Sequence, residues 1–143
     1  MRLWHVDLLP FLPDKQFRGQ LREIIAILHN IQSYGSPRHL LVNRLCDYPM
    51  QDFCIYFYRY AELWQQRYQK VIAEQYQRQF SKPEDAFSAR CFIGWHDRRY
   101  LRICMANLYE KHIFGSGASQ ITEEEWQTLC DGYASITGER YVL

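Results

Sequence analysis

Apolar residues recur along this chain at three- and four-residue steps, and no segment alternates convincingly with period two. Between positions 15 and 32, Phe17, Leu21, Ile24, Ile25, Ile27, Leu28 and Ile31 fill one broad face at 100° per residue, which predicts a helix. Asp14 is placed to cap its start, Pro10 and Pro13 bracket the turn before it, and Gly35 with Ser36-Pro37 ends it. A run over 53–80 holds no Gly or Pro and carries Phe53, Phe57, Tyr60, Trp64, Tyr68, Val71 and Ile72 at helical steps. It predicts the longest helix, stopped by Ser81-Lys82-Pro83. Another helix is predicted over 98–112 through Leu101, Cys104, Met105 and Leu108, with Gly115 and Gly117 breaking the chain after it. Thr122-x-x-Glu125 is a capping box and predicts a short helix through Trp126, Leu129 and Tyr133. Residues 39–45 suggest a short helix, and residues 1–12 read as a buried segment. The predicted fold class is all-α: one compact domain over 1–143, with three to four main helices and irregular loops.

Composition narrows the class further. At 143 residues the chain can bury a core without disulfides or metal, and 48% hydrophobic with 16% aromatic residues excludes disorder and a coiled-coil rod. Five cysteines, widely spaced and without a C-x-x-C pair, read as reduced thiols filling the core. The opening residues carry Asp7 and Pro10 and lack a small-residue cleavage site, unlike a signal peptide, and no apolar run reaches membrane-spanning length. A cytoplasmic monomer without a membrane partner is the expectation. The net charge of +1 is not that of a generally basic nucleic-acid binder. The halves differ, however: residues 1–80 carry ten Lys/Arg against seven Asp/Glu, and residues 81–143 carry seven against nine. A polyanion site therefore belongs on the first half.

Candidate chemistry is sparse. An initiator Met followed by a bulky Arg is not normally removed, so the expected first residue is Met1. α-Amino groups titrate near about 7.7–8.0, at least two units below lysine, and a neutral amine can attack a sugar C1′ to form an imine. Every chain has such an amine, and alone it marks nothing. Glu23 lies about 120° from the centre of the apolar face of helix 15–32, on a polar flank with Gln16, Gly19, Gln20, Ala26 and Asn30. That flank would suit a shallow cleft, although a solvated glutamate paired with Arg18 or Arg22 is the commoner state. Arg2, Arg18, Arg22, Arg38, His39, Arg44, Arg59, Arg67 and Lys70 interleave with Trp4, Tyr34, Tyr48, Tyr56, Tyr58 and Tyr60. This mixture can hold phosphates and stack bases, or simply clothe an aromatic core. Cys91-x4-His96 lacks a matching second pair, so neither a metal nor a cofactor is expected.

Three stretches in order resemble one family. They are Met1-Arg2-Leu3-Trp4 followed by Gln20-Leu21-Arg22-Glu23; Arg38-His39-Leu40-Leu41-Val42-Asn43; and Phe57-Tyr58-Arg59-Tyr60-Ala61-Glu62-Leu63 running ungapped to Val71-Ile72-Ala73-Glu74 and Phe80. Together they are similar to the pyrimidine-dimer DNA glycosylases, over residues 1–80 rather than 81–143. The resemblance implies a compact all-α domain acting on damaged double-stranded DNA. It implies that the Met1 amine attacks C1′ of the damaged nucleotide, that the Glu23 carboxylate assists glycosidic cleavage and stabilises the imine, and that β-elimination then cuts the strand. Arg2 and Arg22 match family arginines that grip phosphates near the lesion, and Arg18, Arg38, His39 and Arg44 are the further DNA-binding candidates. The family's type member exposes a threonine amine after Met removal, whereas here Met1 itself takes that place.

Two rival functions stay open at this level. One keeps the fold and DNA binding without glycosylase action; the other is a helical interaction protein with a large exposed apolar patch. An enzyme of the first kind requires Met1 and Glu23 to meet.

Overall fold

Pro13 hands its carbonyl to the Phe17 N–H at 2.9 Å and so opens helix α1, Asp14–Tyr34. Asp14 is thus the first helical residue rather than the cap, and its carboxylate pairs with Arg18 one turn on, at 3.0 Å. Gly35 ends the helix in the left-handed region at φ +79°. The computed structural model describes residues 1–85 and 88–143; among them there are helices and 3-10 helices and no strand, an all-α fold. The described helices are α1, α2 Met50–Tyr68, α3 Glu74–Gln77, α4 Arg98–Phe114 and α5 Glu123–Thr137, with 3-10 helices at Val6–Phe11, Asn43–Asp47 and Gly117–Ser119. No described helix is long and apolar enough to cross a membrane. The chain forms two compact units, Met1–Leu3 with Arg22–Trp95, and Trp4–Leu21 with His96–Leu143.

In the first unit, α2 buries Phe53, Cys54, Ile55, Tyr56, Phe57 and Tyr60. The predicted helix over 53–80 does not run through. Gln69 takes the left-handed conformation, φ 51°, and its N–H bonds the Gln65 carbonyl, capping α2 at Tyr68. The chain then turns back through buried Ile72 and the short α3, so that Phe80 stacks on Phe57 with ring centroids 4.1 Å apart. In an unbroken helix those two residues would stand about 35 Å apart. The Tyr58 hydroxyl fixes the return by donating to the Phe80 carbonyl at 2.9 Å. Burial of two large side chains outweighs continuation of the helix. The predicted short helix at 39–45 is a turn followed by the 3-10 helix Asn43–Asp47.

In the second unit, the capping box at Thr122 and Glu125 is formed from both sides, at 2.9 and 3.1 Å, and starts α5 as the sequence predicts. Asp97 caps α4 by accepting the Tyr100 N–H at 2.9 Å. α5 packs on α4 and on the 3-10 helix Val6–Phe11, where Gly132 leaves room for the Phe11 ring. His5 and His96 stack at 5.3 Å, with Tyr100 4.9 Å from His96. Burial lowers the His5 pKa against the opposing pull of Asp7 and Asp97. Burial, then the neighbouring His5, lowers that of His96 well below 6.5. Part of the His96 side chain stays accessible, but its Nε2 is sealed from solvent.

Two outcomes follow for stability. A methyl at Gly132 would overlap the Phe11 ring, including its Cγ, which cannot swing aside without moving the whole side chain. Gly132→Ala gains about 1 kcal/mol of helix propensity but suffers overpacking worth about 1–3 kcal/mol. The expected net effect is a lower urea midpoint, and a raised one would contradict this packing. The two histidines make a second expectation. Their folded pKa values lie below the unfolded value, so the unfolded chain binds more protons in acid and stability falls as pH drops below about 6.5. Urea midpoints that stay flat from pH 7.5 to 5.5 would contradict neutral burial of these rings.

Candidate active site

The N-terminal segment is irregular through residue 5, yet Leu3 and Trp4 are buried. Irregular backbone that is buried must find hydrogen-bond partners outside a ladder or helix. Here side chains supply them. The Arg2 N–H donates to Oε2 of Glu23 at 3.2 Å, and the Trp4 N–H donates to Oε1 of Gln20 at 2.8 Å. Residues 2 and 4 thus use acceptors at 23 and 20, three apart on one helix and therefore adjacent along its surface. The Val6 N–H donates to Nδ1 of His96 at 3.0 Å, and the Asp7 N–H to Nδ1 of His5 at 3.1 Å.

This anchoring brings the Met1 amine 3.7 Å from Oε1 of Glu23. The side chains of Met1 and Glu23 keep 22% and 34% of their surface exposed, so the pair stands at the surface but is not fully solvated. One carboxylate oxygen therefore faces a backbone N–H and the other faces an amine. The distance to the amine exceeds an ordinary direct hydrogen bond and is that of an ion-pair contact.

The other predicted residues fall into separate places. Arg22 is exposed on α1 and stands beside Glu23 in sequence. Arg38, exposed and at φ 56°, lies over the Tyr34 ring at 4.2 Å. The His39 N–H donates to Oδ1 of Asn43 at 3.0 Å, and its Nδ1 accepts from the Leu41 N–H at 3.3 Å. Arg44 donates to the Gly94 carbonyl at 2.9 Å. Arg38 and His39 therefore make local contacts, whereas Arg44 reaches a carbonyl fifty positions along the chain. Arg18 belongs to the second unit and pairs with Asp14. Among the described residues no cluster of His, Cys, Asp and Glu is arranged to hold a metal ion.

Gln20 and His96 are the residues that sequence reasoning missed. Gln20, 0% exposed, sits on the same helix flank as Glu23, and that spacing was the available signal. His96 is 90 positions from the N–H it accepts, and nothing in the sequence links the two.

A cavity of about 760 Å³ is lined by residues of α5 and the C-terminal tail, among them Trp126, Cys130 and Tyr141, and includes neither Met1 nor Glu23. The carboxylate and amine lie at the part-exposed surface instead.

No curated protein and no solved structure matches the chain. A family model described as pyrimidine dimer DNA glycosylase matches residues 1–87, which hold Met1, Arg2, Glu23, Arg38, His39 and Arg44. With 87 of its 143 residues matched, from the N-terminal amine through the return of the chain onto α2, the protein belongs to the pyrimidine dimer DNA glycosylase family.

Proposed function

We propose that this protein is a DNA repair glycosylase with abasic-site lyase activity, acting on pyrimidine dimers or a related base lesion in double-stranded DNA. The observation that carries this reading is the Met1 amine 3.7 Å from the Glu23 carboxylate, in a chain of this family. A base inside a duplex is out of reach of a surface amine, so a nucleotide at the lesion must leave the stack. Unstacking costs a few kcal/mol and least where the duplex is already damaged.

The neutral amine attacks C1′ of the damaged nucleotide. The C1′–N glycosidic bond breaks, its electron pair leaves with the base, and a proton from the attacking nitrogen passes to Glu23. The C1′–O4′ bond then opens, O4′ takes a proton, and the nitrogen lone pair completes the imine to C1′. The imine withdraws electrons from C2′, so removal of a C2′ proton expels the 3′ phosphate and cuts the strand. Glu23 suits the transfer from the attacking nitrogen, because the Arg2 N–H holds Oε2 while Oε1 faces the amine; the proton it takes there can then pass to O4′. Arg2, Arg22, Arg38, His39 and Arg44 on the first unit, and Arg18 on the second, supply the cationic contacts to phosphate.

Glu23→Gln keeps the shape of the side chain but removes its ability to take a proton. It should cut base release from a dimer-containing duplex by at least about a hundredfold while duplex binding persists. Acetylating the α-amine should abolish borohydride trapping, since an amide nitrogen does not attack C1′. Full base release by Glu23→Gln, or undiminished trapping by the acetylated protein, would overturn the mechanism. Arg22→Ala should weaken binding to damaged and undamaged duplex alike and lower the salt slope of log K by about one. An unchanged slope would remove Arg22 from the phosphate contacts. If duplex binding persists with no base release and no adduct, a DNA-binding module without glycosylase action becomes the better account.

A further inference from the structure

The amine rides on a segment with little backbone structure of its own, so its position is only as well defined as the side chains that hold the segment. Two of the four acceptors, Glu23 and Gln20, lie on α1 within the residues matched by the family model. A third, His5, is on the segment itself and binds its own neighbour. The fourth is His96, which stands immediately before Asp97, the cap of α4, and outside the matched residues 1–87. Its ring is held by contacts with His5 and Tyr100, and Asp97 beside it is fixed by the Tyr100 N–H. An Nδ1 that accepts a backbone N–H carries no proton, so the neutral ring bears its proton on Nε2. Burial and the neighbouring His5 favour that neutral form.

We propose that His96 is a positioning residue for the Met1 amine: by accepting the Val6 N–H at Nδ1 it fixes the point from which residues 5 to 2 carry the amine to Glu23. The inference rests on the amine mechanism proposed above. Four residues separate Met1 from Val6, and without the ties at Arg2, Trp4 and Val6 that stretch could carry the amine up to about 17 Å from Val6. Attack at C1′ needs the nitrogen at about 3–3.5 Å. An anchor at Val6 confines that search. Removing it slows imine formation far more than it weakens duplex binding, because, of the proposed phosphate contacts, only Arg2 lies on the segment, while those at 22, 38, 39 and 44 hang on other parts of the chain.

Three variants of the full chain separate the acceptor from the packing. His96→Leu removes the acceptor. His96→Asn keeps one, since Asn Oδ1 lies close to where His Nδ1 does. Val6→Pro removes the donor and leaves His96 intact. Pro fits there because Val6 opens a 3-10 helix and His5 is already extended at ψ 132°. Each is measured for single-turnover borohydride trapping on an abasic duplex, for affinity to the same duplex, and for hydrogen exchange at the Arg2 amide. His96→Leu and Val6→Pro should trap about tenfold more slowly or worse while affinity changes far less, and the Arg2 amide should exchange faster. His96→Asn should stay close to wild type in all three. Wild-type trapping and exchange in folded His96→Leu or Val6→Pro would overturn the proposal, as would His96→Asn proving as slow as His96→Leu. If His96→Leu does not fold, the other two variants decide. If the wild type itself gives no adduct, the amine mechanism fails, and the anchor is then judged by exchange alone: an unchanged Arg2 amide in Val6→Pro overturns it.

Discussion

A buried backbone N–H without an acceptor costs about as much as a lost hydrogen bond, and that constraint governs the N-terminal segment. Leu3 and Trp4 are buried where no strand or helix can pair their neighbours' amides. The chain meets the constraint with side chains: Glu23 for Arg2, Gln20 for Trp4, His96 for Val6 and His5 for Asp7. Chain ends are ordinarily the least ordered part of a domain. An enzyme that places its nucleophile there must hold the end more firmly than packing alone would. Of the four acceptors, Glu23 has a second oxygen left to face the amine. In the proposed mechanism one residue thus anchors the segment and handles the proton.

The main helices were legible because their apolar faces are periodic over many residues. α1, α4 and α5 lie close to where period and capping residues put them, down to the reciprocal cap at Thr122 and Glu125. The break after Tyr68 was not legible. Residues 69–73 contain no Gly or Pro, and what turns the chain is the stacking of Phe80 on Phe57, a contact of 23 residues' separation that local propensity cannot register. Asp14 differs by one position from its predicted role, because the Pro13 carbonyl already accepts the first helical N–H and the carboxylate is left to pair with Arg18.

The site was legible in outline and hidden in detail. Helical spacing put Glu23 on a polar flank with Gln20, but a flank of that kind is ordinary on a solvated helix, and only the order of three motifs along residues 1–80 pointed to the amine. That Gln20 and Glu23 divide two backbone amides between them depends on the path of residues 1–4, which has no period to read. His96 lies further out of reach, since its tie to Val6 joins the two separate sequence segments of the second unit. The candidate arginines each have a contact of their own that the sequence does not show: Arg2 with Glu23 through its N–H, Arg38 over Tyr34, Arg44 on Gly94 and Arg18 on Asp14.

The central claim is that the nucleophile is the amine at position 1. The most direct measurement is to reduce the complex with an abasic duplex using borohydride, digest the protein and locate the sugar adduct by mass spectrometry. The account predicts the adduct on the α-nitrogen of the peptide that begins with Met1. An adduct on the side chain of Lys15 or Lys70, with the Met1 peptide unmodified, would contradict it.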